Sequence, residues 1–119
     1  MHAQKRLQDD CLNESPKFLA YLGYYDGKPV SYITLFFTYS TFLARPTLYL
    51  EDIFVLEEYR NKGIGTKLIR FCRNLAREKN CGRMEWMVLT WNTPSIEFYE
   101  KCGAKRLDWF VYRLTADEL

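Results

Sequence analysis

From Ile64 onward the apolar residues fall at positions 64, 68, 69, 72, 75 and 76. That spacing is the period of a helix laying one face on a sheet, and it predicts a helix that ends by Asn80 to Gly82. Upstream the pattern belongs to strands. FLAYLGYYD (18–26) and PVSYITLFFTYS (29–40) are separated by Asp26-Gly27-Lys28, and Asp-Gly between two β-rich runs predicts an antiparallel hairpin. Leu43 to Thr47, with Pro46, reads as a loop, and TLYLEDIFVL (47–56) as a buried strand with two carboxylates in its middle. RMEWMVLT (83–90) reads as a further strand. Thr93 is placed as the N-cap of a helix with Pro94 at its first position, ending at Gly103. DWFVYRL (108–114) completes the pattern as a last strand, and residues 3–12 form a short, weakly capped helix with Leu7 and Cys11 four apart. The order helix, strand, strand, strand, helix, strand, helix, strand predicts one α/β (α+β) domain over 1–119, its mixed sheet flanked by helices.

Composition narrows the classes. Hydrophobic residues make up 48% of the 119 positions and aromatics 17%, too rich for disorder. Neither a signal peptide nor an 18-residue apolar span is visible, so a cytoplasmic protein without a membrane partner is expected. Cys11, Cys72, Cys81 and Cys102 lack metal-ligand spacing and the one histidine is His2, which argues for free thiols and against a metal site. A net charge of +2 does not point to nucleic acid.

The stretch YRNKGIGTKLIR (59–70) places Gly63 and Gly65 where a strand feeds a helix N-terminus, a position that gathers unpaired N–H groups and the positive end of the helix dipole. The P-loop order of glycine, lysine and hydroxyl is reversed in Gly65-Thr66-Lys67. The dinucleotide pattern fails at Leu68, and six residues separate Leu56 from Gly63, too many for its tight turn. Arg60-Asn61-Lys62-Gly63-Ile64-Gly65 does resemble the pyrophosphate-binding pattern of the acyl-CoA-dependent GNAT N-acetyltransferases. LYLEDIFVLEEYRNKGIGTKLI and WNTPSIEFYEKCGA resemble that superfamily's two conserved blocks, over about residues 47 to 104, with most likeness to the diamine (spermidine/spermine) and thialysine branch.

The resemblance implies a GNAT-like fold and direct transfer of acetyl from acetyl-CoA to a primary amine in a ternary complex. Backbone N–H groups of Asn61, Lys62, Gly63, Ile64, Gly65 and Thr66 would hold the pyrophosphate, with added charge from Arg60 and Lys62. Backbone groups of Ile53, Phe54 and Val55 would hold the pantetheine arm as an added strand, and Asn92 and Ser95 resemble further CoA contacts. Lys67, Arg70, Arg73, Arg77, Lys79 and Arg83 either attract the 3′-phosphate or form a solvated face. A primary amine is protonated at pH 7, a gap of about 4 to 5 kcal/mol, so a carboxylate base is required. Without a usable histidine, Glu51 and Asp52 are the candidates, since a charged pair in an apolar strand calls for a cleft or a partner. Glu51 resembles the family's amine-binding proton relay. Asp52 either joins it or pairs with a neighbouring cation or backbone amide. Tyr99 matches the tyrosine that protonates the departing thiolate, and Glu85 is either a rim carboxylate of the acceptor site or an exposed strand position.

Two departures from the family's pattern matter. Only 17 residues precede Phe18, so the family's first strand and first helix are expected to be absent. That would leave the 18–26 strand as an open edge, favouring a homodimer. AKRLD (104–108) replaces a longer acidic connection, which weakens a polyamine acceptor. The main reading is an N-acetyltransferase for a small primary amine. A non-catalytic acyl-CoA-binding subunit is the alternative.

Overall fold

A computed structural model describes residues 2–119. It contains helix α1 (Ala3–Cys11), strands β1 (Leu19–Tyr25), β2 (Lys28–Ser40) and β3 (Arg45–Val55), helix α2 (Ile64–Glu78), strand β4 (Arg83–Glu85) and helix α3 (Thr93–Lys101). Single 3-10 turns lie at Glu57–Tyr59 and Ala116–Glu118. The chain divides into two compact units, Met1–Met87 and Val88–Leu119.

The first unit is a four-stranded mixed sheet in the order β1-β2-β3-β4, with β1, β2 and β3 antiparallel and β4 parallel to β3. Its hairpin is as the Asp-Gly signal predicts. Tyr25 pairs with Lys28, and Asp26 and Gly27 both take positive φ, 50° and 78°, the two left-handed residues of a type I′ turn. Among the described residues strand β1 pairs with β2 alone, so the open edge expected there is present. Gly23, opposite Ser31, leaves room for that side chain: a Cβ there would stand 2.0 Å from the Ser31 hydroxyl oxygen, which would have to turn away.

Helix α2 covers one face of the sheet. Its buried Leu68, Ile69 and Cys72 meet the side of the strands that carries Ile33, Leu35, Leu48 and Leu50, each at most 2% exposed. Phe71 packs edge-on against Tyr21 at 4.8 Å. On the opposite face, paired Tyr32 and Phe54 lie 5.5 Å apart and paired Phe36 and Tyr49 lie 5.2 Å apart. Those rings leave a second apolar surface for whatever crosses it.

Four expectations are corrected. The 43–47 loop ends earlier, because β3 already begins at Arg45 and Pro46 is tolerated at the start of a strand, before the ladder with β4 begins at Thr47. The 83–90 strand is only three residues long, pairing Thr47 to Tyr49 with Arg83 to Glu85. The 108–114 strand does not form, since an apolar, aromatic-rich run supplies a strand's side chains but not its partner. Finally, Asn92 and not Thr93 is the N-cap of α3. Its Oδ1 accepts from the Ser95 N–H at 3.4 Å, leaving Thr93 and Pro94 as the first helical residues. Gly103, at φ 94°, ends α3 as expected.

Candidate functional site

The register between β2 and β3 slips at one point. Thr34 pairs with Asp52 while the next residue, Leu35, pairs with Leu50, so Glu51 is an extra residue on β3. This is a β-bulge. Consecutive side chains on a regular strand point to opposite faces, yet here Glu51 and Asp52 both line one groove. The groove has a volume of about 790 Å³ and runs between α1 (Leu7, Gln8, Cys11) and the sheet face that carries Tyr32, Thr34 and Phe36, with Phe18 at its side. Both carboxylates are exposed to it.

Asp52 has a fixed partner: its Oδ2 accepts from the Thr34 hydroxyl at 2.5 Å, across the ladder. The partner is thus a hydroxyl on the neighbouring strand, in place of the cation or backbone amide considered from the sequence. Tyr49 stands two residues before Glu51 and opposite Glu85. Burial pushes its phenol above the ordinary range, and the negative charges of Glu51 and Glu85 add to the effect. Glu85 is half-buried, and its Oε1 lies 3.6 Å from Arg83 Nε.

Beyond the groove, β3 runs into the glycine turn. Leu56 N–H donates to Val30 C=O, extending the sheet, and the 3-10 turn Glu57–Tyr59 follows. Asn61 and Gly63 then adopt left-handed backbone at φ 64° and 80°, and α2 starts at Ile64 with Gly63 as N-cap. Helix geometry leaves the N–H groups of Ile64, Gly65 and Thr66 without intrahelical partners. A Cβ added at Gly63 would meet nothing within 4 Å, so its glycine is required by conformation and the surface above it is open. The two cations of the loop are held sideways. Arg60 Nε donates to Val55 C=O at 2.9 Å and its guanidinium lies 5.8 Å from the Phe54 ring, while Lys62 Nζ lies 5.7 Å from the Tyr25 ring. Among the described residues, β3 beyond Tyr49 has a strand partner only on its β2 side, so Ile53, Phe54 and Val55 lie on a part of β3 that β4 does not reach.

In the second unit, Asn92 and Ser95 are joined by the α3 cap, and Tyr99 lies one helical turn further on. Burial, with Cys102 nearby, raises the Tyr99 phenol above its ordinary range, so it stays protonated at neutral pH. Phe98 packs against it at 5.5 Å.

The bulge and the groove were not visible in the sequence. The signal that could have found them was the adjacent Glu51-Asp52 pair itself, which an apolar strand can carry to one side only by adding a residue.

Comparison with known proteins matches residues 1–104 to the model of the acetyltransferase (GNAT) family. Over 89 residues, 74% of this chain, it is 42% identical to the L-ornithine N5-acetyltransferase of Arabidopsis thaliana. Over 98% of its length it is 33% identical to the thialysine N-epsilon-acetyltransferase of Sus scrofa. The chain spans 39% of the plant enzyme's length and 75% of the pig enzyme's. Among solved structures, an integron cassette protein of V. cholerae superposes with a TM-score of 0.81 at 23% identity, covering 89% of this chain and 66% of that one. An aminoglycoside N-acetyltransferase solved with CoA gives 0.77 at 21%, covering 94% and 87%.

Proposed function

The chain belongs to the acetyltransferase (GNAT) family, and from that premise we propose that it transfers acetyl from acetyl-CoA to a small primary amine. Ornithine, thialysine or another lysine-like compound, or a polyamine, is the acceptor class, in keeping with the names of its relatives. The observation that carries the reading is the bulge that turns Glu51 and Asp52 into one groove walled by Phe18, Tyr32 and Phe36. Aromatic faces and carboxylates together suit an ammonium group, which gains from both ring quadrupole and charge.

The residues at the glycine turn fit a pyrophosphate: two left-handed positions, an open surface at Gly63 and a helix N-terminus. The N–H groups of Asn61 to Thr66 would hold it, and Ile53, Phe54 and Val55 would bond the pantetheine amides in the manner of an added strand. Asn92 and Ser95 complete the cofactor contacts in this reading. Bound acetyl-CoA supplies the acetyl group as a thioester. Asp52, fixed by Thr34, holds the acceptor's ammonium, and Glu51 takes through water the proton that the amine must lose before it attacks the carbonyl. Tyr99 returns a proton to the departing sulfur. Glu85, at the far side of Tyr49, adds negative charge along the acceptor's path. The free state of Cys11, Cys72, Cys81 and Cys102 is in keeping with a reducing, cytoplasmic setting, and we take the working form to be a homodimer.

Calorimetric titration with acetyl-CoA, followed by thiol release on a panel of amines, tests the reading. Binding with release supports it. Binding without release leaves an acyl-CoA-binding subunit, and no binding removes the assignment of the glycine turn.

A further inference from the structure

The groove that takes Glu51 and Asp52 also takes a cation. Lys17 lines it, where the chain passes from α1 to β1. Its backbone is tied to the end of α1, the Lys17 N–H donating to Asp10 C=O at 2.8 Å, and its Nζ lies 3.2 Å from Asp10 Oδ1. The two side chains are 76 and 41% exposed. An ion pair so open to water contributes little to stability, so both members can turn to a ligand at small cost. The groove therefore carries two carboxylates at the bulge of β3, a neutral ion pair towards α1, and apolar walls.

The register sets the spacing. Ala20 pairs with Thr34 and Thr34 with Asp52, so Asp52 stands two strands across from β1 in the row of Ala20. Lys17 precedes Ala20 by three residues. At about 4.8 Å between strands and about 3.3 Å per residue, the Cα atoms of Lys17 and Asp52 are at most roughly 14 Å apart. Two side chains reaching inward and a hydrogen bond at each end leave room for an acceptor whose charged ends are three or four methylenes apart, with Phe18, Tyr32 and Phe36 to cover the methylenes.

A diamine and a diamino acid offer Asp52 the same terminal ammonium and differ at the other end. The diamine brings a second cation, which must compete with Lys17 for Asp10. The diamino acid brings an ammonium and a carboxylate on one carbon, a head without net charge whose two groups meet Asp10 and Lys17 with opposite sign. We propose that the Lys17–Asp10 pair reads the acceptor's α-amino and α-carboxylate groups, so that the groove takes an α-amino acid with a distal amine in preference to a diamine.

This inference rests on the acetyltransferase reading and narrows its acceptor class. Thiol release from acetyl-CoA is measured with lysine and ornithine against cadaverine and putrescine, the same chains without the carboxylate. The unaltered protein is expected to favour each amino acid at least tenfold in kcat/KM. Lysine amide, which keeps the α-ammonium and loses the carboxylate charge, should fall towards cadaverine, a readout that needs no variant. Lys17→Glu turns the pair into two carboxylates and should invert the order, mainly through KM, while Lys17→Arg should keep it. Lys5→Gln, whose partner is Asp9 and which does not line the groove, should leave the order unchanged. Equal kcat/KM for amino acid and diamine, or an order that Lys17→Glu does not shift, overturns this inference and leaves the acetyltransferase reading in place. No release with any amine removes both.

Discussion

The units Met1–Met87 and Val88–Leu119 are both rich in apolar side chains, yet only the first buries them. Ile33, Leu35, Leu48 and Cys72 are 0% exposed, whereas every residue of the second unit is exposed or half-buried. The difference teaches that an apolar pattern fixes the period of an element, while burial depends on a partner face. It also separates two ways of holding the residues proposed to act. Glu51, Asp52 and the glycine turn are positioned by a packed sheet and helix. Asn92, Ser95 and Tyr99 are positioned by local devices: the Asn92 cap, the Phe98–Tyr99 ring pair and an Arg106–Glu100 ion pair at 2.9 Å.

The largest contrast is in stability. Leu35→Ala deletes methyl groups from a fully buried site and should cost about 2–5 kcal/mol in urea unfolding. Trp109→Ala, studied at low protein concentration, should stay within about 0.5 kcal/mol. Equal costs would erase the distinction between the units.

Alkaline pH sharpens it. Burial pushes the Cys72 thiol up to about 11 from an ordinary value of 9.0. Between those values the unfolded chain has lost the proton that the folded chain keeps. The contribution is therefore present in full below pH 9 and lost as pH rises towards 11, a fall of about 2 to 3 kcal/mol. Tyr49 and Tyr99 act in the same direction above pH 10. Cys72→Ala should flatten the fall between pH 9 and 11, and an unaltered slope in that variant would show that the thiol is not its source.

The proposed roles of Glu51 and Tyr99 can be tested one at a time. Glu51→Gln and Tyr99→Phe are each expected to lower kcat tens-fold or more, the range of positioned acid and base groups. Because the Tyr99 phenol is raised, the alkaline limb it controls lies above the usual tyrosine range, and Tyr99→Phe should remove it. A slow Glu51→Gln beside an unimpaired Tyr99→Phe would confine the chemistry to the first unit.

What the sequence made legible follows the same division. The Asp26-Gly27 turn, the helical face of α2 and the glycine entry at Gly63 are set by neighbours in the chain, and each formed where it was expected. The bulge at Glu51 was not legible, because register belongs to two strands and only the pairing of Thr34 with Asp52 beside Leu35 with Leu50 reveals it. The sideways hold on Arg60 and Lys62 depends on Phe54 and Tyr25, which are distant from the loop's own pattern. Residues 86–90 and 108–114 read as strands because they are short apolar runs rich in β-formers, and the missing ladders lie outside what such a run can report.

The smallest effect expected is at the α3 cap, and it bears on how the second unit holds its chemistry. Asn92 Oδ1 accepts from Ser95 N–H, one of the donors that the first turn of a helix leaves over. Asn92→Ala removes that acceptor at a cost of about 1 kcal/mol, and Asn92→Ser should restore most of it. In the first unit such a loss would be absorbed by the core. In the second no core shares the load, so the cost should appear locally as a roughly fivefold faster exchange of the Ser95 amide, a factor that corresponds to about 1 kcal/mol. Tyr99 sits four residues further along α3, and its phenol should fall back towards the ordinary range as the helix loosens and burial is lost. Exchange at Ser95 that does not change in Asn92→Ala would mean that the helix is held by something other than its cap, and the contrast between core-held and cap-held residues would no longer stand.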